Sequence, residues 1–197
     1  MSFEYTGLGL WSSMQWLNPP AEWQYIDGEL RVITDKNTDF WRTTHYGFIR
    51  DSGHFFHRDV SGDFRARLCF VGRYQDLYDQ AGIMVRASET HWLKCGLEFV
   101  HGVQYASAVI TRQFSDWSVA PLAGQPERVW FEVRRKREAV AVLYSLDGIK
   151  FVLLRLADFP VVPTVSVGPV CASPDGGGFE VVFESFTVEP NLQPILD

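Results

Sequence analysis

Apolar and polar residues alternate through most of the chain, in short runs. Over 64–72, Phe64, Ala66, Leu68 and Phe70 fall on one side, and Arg65, Arg67, Cys69 and Val71 on the other. A period of two puts successive side chains on opposite faces of a strand, so such runs predict half-buried β-strands. The same reading predicts strands over 29–34, 128–135, 139–145, 151–156, 164–172 and 179–188. Asp27-Gly28, Asp35-Lys36-Asn37, Arg137-Glu138 and Asp147-Gly148 separate them as turn signals. Residues 1–28 read as loop, with a tryptophan cluster at Trp11, Trp16 and Trp23, and the aromatic segment 38–49 has no clean period. No long stretch carries a helical period, and only the connections near 73–79 and 157–160 have room for a helical turn. Many short strands separated by turns predict an all-β sandwich or jelly roll of antiparallel sheets.

The stretch 78–118 allows a register to be worked out. His101-Gly102 as a two-residue turn pairs Glu98 with Tyr105, Gly96 with Ser107, Lys94 with Val109 and Trp92 with Thr111. Leu93, Cys95, Leu97, Phe99, Ala106, Ala108 and Ile110 then share the core face. The preceding strand must add Ala81, Ile83 and Val85 to that face, and a one-residue slip would invert all of them. A connection over 87–91 satisfies this, pairing Arg86 with Trp92, Met84 with Lys94, Gly82 with Gly96 and Gln80 with Glu98. The opposite face carries Gln80, Arg86, Lys94, Glu98, Tyr105, Ser107 and Thr111. Two adjacent glycines leave its centre bare, which predicts that a ligand or another backbone comes close. Ser115-Asp116-Trp117-Ser118 is expected at its rim, where an acid beside a tryptophan suits a sugar.

Composition narrows the partners. The 197 residues carry a net charge of −6 with both signs mixed, so no basic footprint for nucleic acid is present. The run Arg134 to Arg137 is expected to be a solvated turn. Three widely spaced cysteines, Cys69, Cys95 and Cys171, form no C-x-x-C pair and each falls in an apolar pattern, as buried thiols do. No leader pattern and no membrane-length apolar run is seen, so a cytoplasmic protein with no membrane partner is expected. One domain spanning 1–197 is expected, with its core over about 14–189 and a loose tail over 190–197.

The segments TDFWRTTHYGFIRDSGHFF, YDQAGIMVR, HWLKCGLEFV, SAVITRQFSDWS, YSLDG and CASPDGGGFEVVF resemble the regulation-of-enolase protein family. The likeness runs from about Trp16 to Val188. This family is a domain of unknown function in the concanavalin A-like lectin/glucanase superfamily. The resemblance implies a concanavalin A-like jelly-roll sandwich of two antiparallel sheets, with ligands on the concave sheet. It carries over no catalytic residue.

Retaining glycosidases of such folds place two catalytic carboxylates on one strand as E-x-D-x-E. The nearest match, Glu180 to Glu184, lacks the central aspartate, so hydrolysis by that route is not expected. His45 and His54 are candidate proton carriers for other chemistry. No phosphate loop, nucleophile elbow, dinucleotide fingerprint or zinc spacing is present, and neither cofactor nor metal is expected. The reading that follows is binding of a carbohydrate or sugar-derived metabolite, a small molecule or an oligosaccharide, on the concave sheet. The candidate ligand-binding residues are Trp41, His45, Gln80, Arg86, Lys94, Glu98, Tyr105, Thr111, Asp116 and Trp117. The alternatives are a sugar-active lyase, isomerase or hydrolase, and an interaction module with a metabolic-enzyme partner.

Overall fold

The computed structural model describes residues 11–196; residues 1–10, read above for a leader pattern, and Asp197 lie outside the described residues. In chain order the strands are β1 (Gln15–Leu17), β2 (Glu22–Ile26), β3 (Glu29–Ile33), β4 (Phe40–Arg42), β5 (Ile49–Asp51) and β6 (His54–Ser61). Then come β7 (Phe64–Gly72), β8 (Gln80–Ser88), β9 (His91–Val100), β10 (Val103–Arg112) and β11 (Phe114–Pro121). The last are β12 (Arg128–Lys136), β13 (Ala139–Ser145), β14 (Val152–Asp158), β15 (Thr164–Ala172) and β16 (Glu180–Pro190).

Two seven-stranded sheets form the expected sandwich. The first runs β1-β6-β15-β8-β9-β10-β11 and the second β14-β13-β12-β7-β16-β3-β2, with strand neighbours antiparallel. Alternation explains what lies between them. Ile83, Val85, Leu93, Leu97 and Ile110 of the first sheet meet Leu68, Phe70, Phe131 and Phe183 of the second. Burying each such side chain contributes about 1.5–3 kcal/mol.

The register of β8, β9 and β10 is the one read from the sequence: Gln80 opposes Glu98, Gly82 opposes Gly96, and Glu98 opposes Tyr105. The 87–91 connection tightens because Ser88 pairs with His91 across a bulge. His101 and Gly102, both at positive φ, make the turn between β9 and β10.

Three features depart from expectation. The segment 38–49 is a separate two-stranded hairpin, β4 paired with β5, and the described residues 11–28 contain two strands. Trp16 and Trp23 make an edge contact over Phe56 at the sandwich margin. Arg135 in the basic run is buried: it donates to the carbonyls of Gly62, Pro160 and Val162. A guanidinium has five donors, so one side chain can fasten two loops where β12 ends.

Candidate functional site

The outward face of the first sheet is divided in two. Met84, Trp92, Val109 and Val170 point outward, and Phe40, Trp41, Phe55, Leu17 and Phe48 pack with them as a second apolar cluster. The β4–β5 hairpin therefore lies on this sheet. It is fastened at one side by Arg86, which holds both carboxylate oxygens of Asp51 at 2.7 Å. At the other, the Arg42 amide donates to Ser115 Oγ at 2.9 Å.

Beyond the hairpin the polar half of the face stays open as a cleft of about 640 Å³, counting its mouth. Its floor is Gln80, Lys94 and Glu98; Asp39, Trp41, Phe48, Tyr46, Tyr78 and Trp117 wall it, with Arg50, Pro174 and Asp175 at one side. A smaller recess over Gly96 joins it, lined also by Ser107 and Val170.

Asp39 comes from the start of the hairpin. Its Oδ1 accepts from the Phe40 amide at 2.8 Å, from Lys94 Nζ at 3.0 Å and from Gln80 Nε2 at 3.5 Å. Lys94 and Asp39 are both buried. Such a pair persists because each charge would be strongly destabilised without the other.

Glu98 is also buried, and its Oε2 accepts from Ser107 Oγ at 2.7 Å and Trp117 Nε1 at 2.9 Å. Burial pushes its carboxyl above the usual range, while Lys94 and the two donors pull against that and Asp39 adds to it. At the mouth, the Tyr46 and Tyr78 hydroxyls lie 3.1 Å apart. That bond, then partial burial, raises the Tyr78 phenol to about 12, so it stays neutral at physiological pH. Tyr78 meets Trp117 edge-on. Tyr46 sits on a tight 43–48 loop in which Thr43, His45 and Gly47 take positive φ.

Of the residues singled out from the sequence, Trp41, Gln80, Lys94, Glu98 and Trp117 line this cleft. The other five do not. Asp116 is on the reverse face, because adjacent strand residues point oppositely; it pairs with Arg155 of β14 at 2.8 Å. Arg86 is committed to Asp51, and Thr111 is buried against Ser115 at 2.9 Å. Tyr105 keeps its register beside Glu98 but does not line the cleft. His45 is exposed and packs edge-on against Tyr46 outside the cleft. His54 is buried at the start of β6, with Asp35 N–H donating to Nε2 and Nδ1 against the Asn18 carbonyl.

The glycine pair has a structural cause. A Cβ on Gly82 would collide with the Cys95 carbonyl oxygen, and one on Gly96 with that of Ala81, so the close approach is of neighbouring strands. Glu180 and Glu184 lie on β16 of the other sheet, where Arg73 and Arg128 pair with them. Asp39, Tyr46, Phe48, Arg50 and Tyr78 were not anticipated as lining residues. All but Tyr78 come from the hairpin or its approach, whose docking local periodicity cannot show.

Residues 16–191 match the family described as "Protein of unknown function (DUF1349)". The chain is 40% identical over 177 residues to "Regulation of enolase protein 1" of Saccharomyces cerevisiae, covering 90% of this chain and 89% of that protein. A crystal structure of a functionally unknown protein from Saccharomyces cerevisiae is similar at a TM-score of 0.89 and 40% identity, over 92% of this chain and 98% of that one. Two further likenesses reach only the fold. A GH43 protein from Bacillus licheniformis matches at a TM-score of 0.73 and 16% identity, over 95% of this chain and 38% of that one. Lectin I-B4 from Griffonia simplicifolia matches at 0.56 and 12% identity, over 95% of this chain and 98% of that one.

Proposed function

The chain belongs to the DUF1349 family, whose name assigns no activity, and from that premise we propose that its cleft binds a carbohydrate or sugar-derived small molecule without turning it over. One observation carries the reading: aromatic side chains stand around a floor in which half-buried Gln80 and buried Lys94 and Glu98 present donors and acceptors together. A sugar ring has apolar C–H faces and a polar rim of hydroxyls. Trp117 and Tyr46 suit the faces, and Gln80, Lys94 and Glu98 suit the rim. Each hydroxyl both donates and accepts, which matches a Lys ammonium beside a carboxyl group better than a single charge would.

Calorimetric titration with a panel of neutral hexose and pentose methyl glycosides tests this. Trp117→Ala is expected to weaken the best binder by about tenfold, the loss of one aromatic contact. Its melting temperature should fall only modestly, since Glu98 loses the Trp117 donor but keeps that of Ser107. Panel-wide silence for the unaltered protein would overturn the reading.

A second reading has its own support. The yeast relative's name contains regulation of enolase, and this chain exposes Ile149, Val152, Leu153 and Leu156 along the β14 edge of the second sheet. Clustered exposed apolar side chains suit a protein partner. Sedimentation of the chain mixed with enolase tests it, with Ile149→Asp as the variant that should abolish any complex.

A further inference from the structure

We propose that the cleft accepts a single sugar ring, free or at the end of a chain, and excludes internal residues of a polysaccharide. The inference rests on the carbohydrate reading above and adds a restriction drawn from the walls. A polymer lying across a concave sheet needs a groove open at both ends. Here one end is dammed by the hairpin, fastened by Arg86 to Asp51 and by the Arg42 amide to Ser115 across the sheet. The apolar cluster of Phe40, Trp41 and Trp92 fills the space where the groove would continue.

Linked side chains wall the cleft beside the hairpin as well. The Tyr46 and Tyr78 hydroxyls meet along one wall of the cleft at 3.1 Å, and Tyr78 continues edge-on to Trp117 at 6.3 Å between ring centroids. The same wall is extended by Arg50, which donates to the Pro174 carbonyl at 3.2 Å, tying β5 to the loop after β15. Its guanidinium also lies 4.6 Å from the centre of the Phe48 ring. Entry is from above, and a ring on the floor has Gln80, Lys94 and Glu98 within its reach. The Lys94–Asp39 ion pair balances its charge within the floor, which favours an uncharged sugar over an anionic one.

The test compares linear and end-free ligands. Methyl glycosides of neutral hexoses and pentoses, linear oligosaccharides of two to six residues of the best binder, and a cyclic oligosaccharide of the same sugar are titrated by calorimetry. The expected result is one site per linear chain with affinity independent of length beyond the first ring. The cyclic ligand, having no terminal ring, should bind at least about tenfold more weakly, because it meets the walls. Affinity that climbs with chain length, or a cyclic ligand that binds as well as the linear one, would overturn the restriction while leaving carbohydrate binding intact. Failure of every sugar to bind would overturn both.

Discussion

Glu98 is the residue whose environment asks the most of a carboxyl group. Burial raises its pKa against the pull of Lys94, Ser107 and Trp117. A carboxyl raised above its unfolded value binds its proton more tightly in the folded state. Its contribution is therefore fully present below the unfolded pKa and is lost as pH rises through the higher folded one. Glu98→Gln keeps an acceptor for Ser107 and Trp117 and cannot ionise. The melting temperature of the variant relative to the parent is expected to rise across that same window, which paired thermal scans from acid to neutral pH would record. Lys94 presents the opposite case. Lys94→Met strands the Asp39 carboxylate in a buried position and should cost about 3–5 kcal/mol in urea unfolding. Adding Asp39→Asn should recover part of that loss, so the double variant is less destabilised than the two single effects combined.

At the scale of elements, the β4–β5 hairpin and the β8–β9 pair decide the shape of the site. Trp92, Met84 and Val109 occupy the same face as Lys94 and Glu98 in the register read from the sequence. Large apolar side chains on an outward face signal that something covers them, and the hairpin does. Phe40→Ala removes the centre of that contact and should cost about 3–5 kcal/mol, measured by chemical unfolding. The β8–β9 pair is constrained differently. Gly96→Ala places a methyl group against the Ala81 carbonyl, so it should destabilise by about 1–3 kcal/mol with or without sugar present. The paired glycines were legible as an instruction for close approach. Which body approaches, strand or ligand, was decided by the sheet.

For the whole molecule, the sandwich hides the chemistry that the sequence offers most openly. Cys69, Cys95 and Cys171 are free and buried. Burial, then a hydrogen bond to Glu184, lifts the Cys69 thiol to about 12, and burial pushes the other two further up. The thiolate is the reactive form. Native protein at pH 8 is therefore expected to release no colour with a chromogenic disulfide reagent, and denatured protein to release three equivalents.

The two-residue period by itself determined the sandwich, the turns at Asp27-Gly28, His101-Gly102 and Asp147-Gly148, and the pairing of Gln80, Lys94 and Glu98 on one face. Those are local consequences of strand alternation and turn chemistry, and any chain with this pattern must satisfy them. Asp116 shows the limit of reading neighbours as companions, since alternation sends it away from Trp117 to Arg155. Only the tertiary structure decided that the hairpin folds back over half of that face. It brings Asp39 to Lys94 across 55 positions and Tyr46 to Tyr78 across 32. Contacts at such separation depend on how packed sheets bring distant segments together, and no local period encodes that.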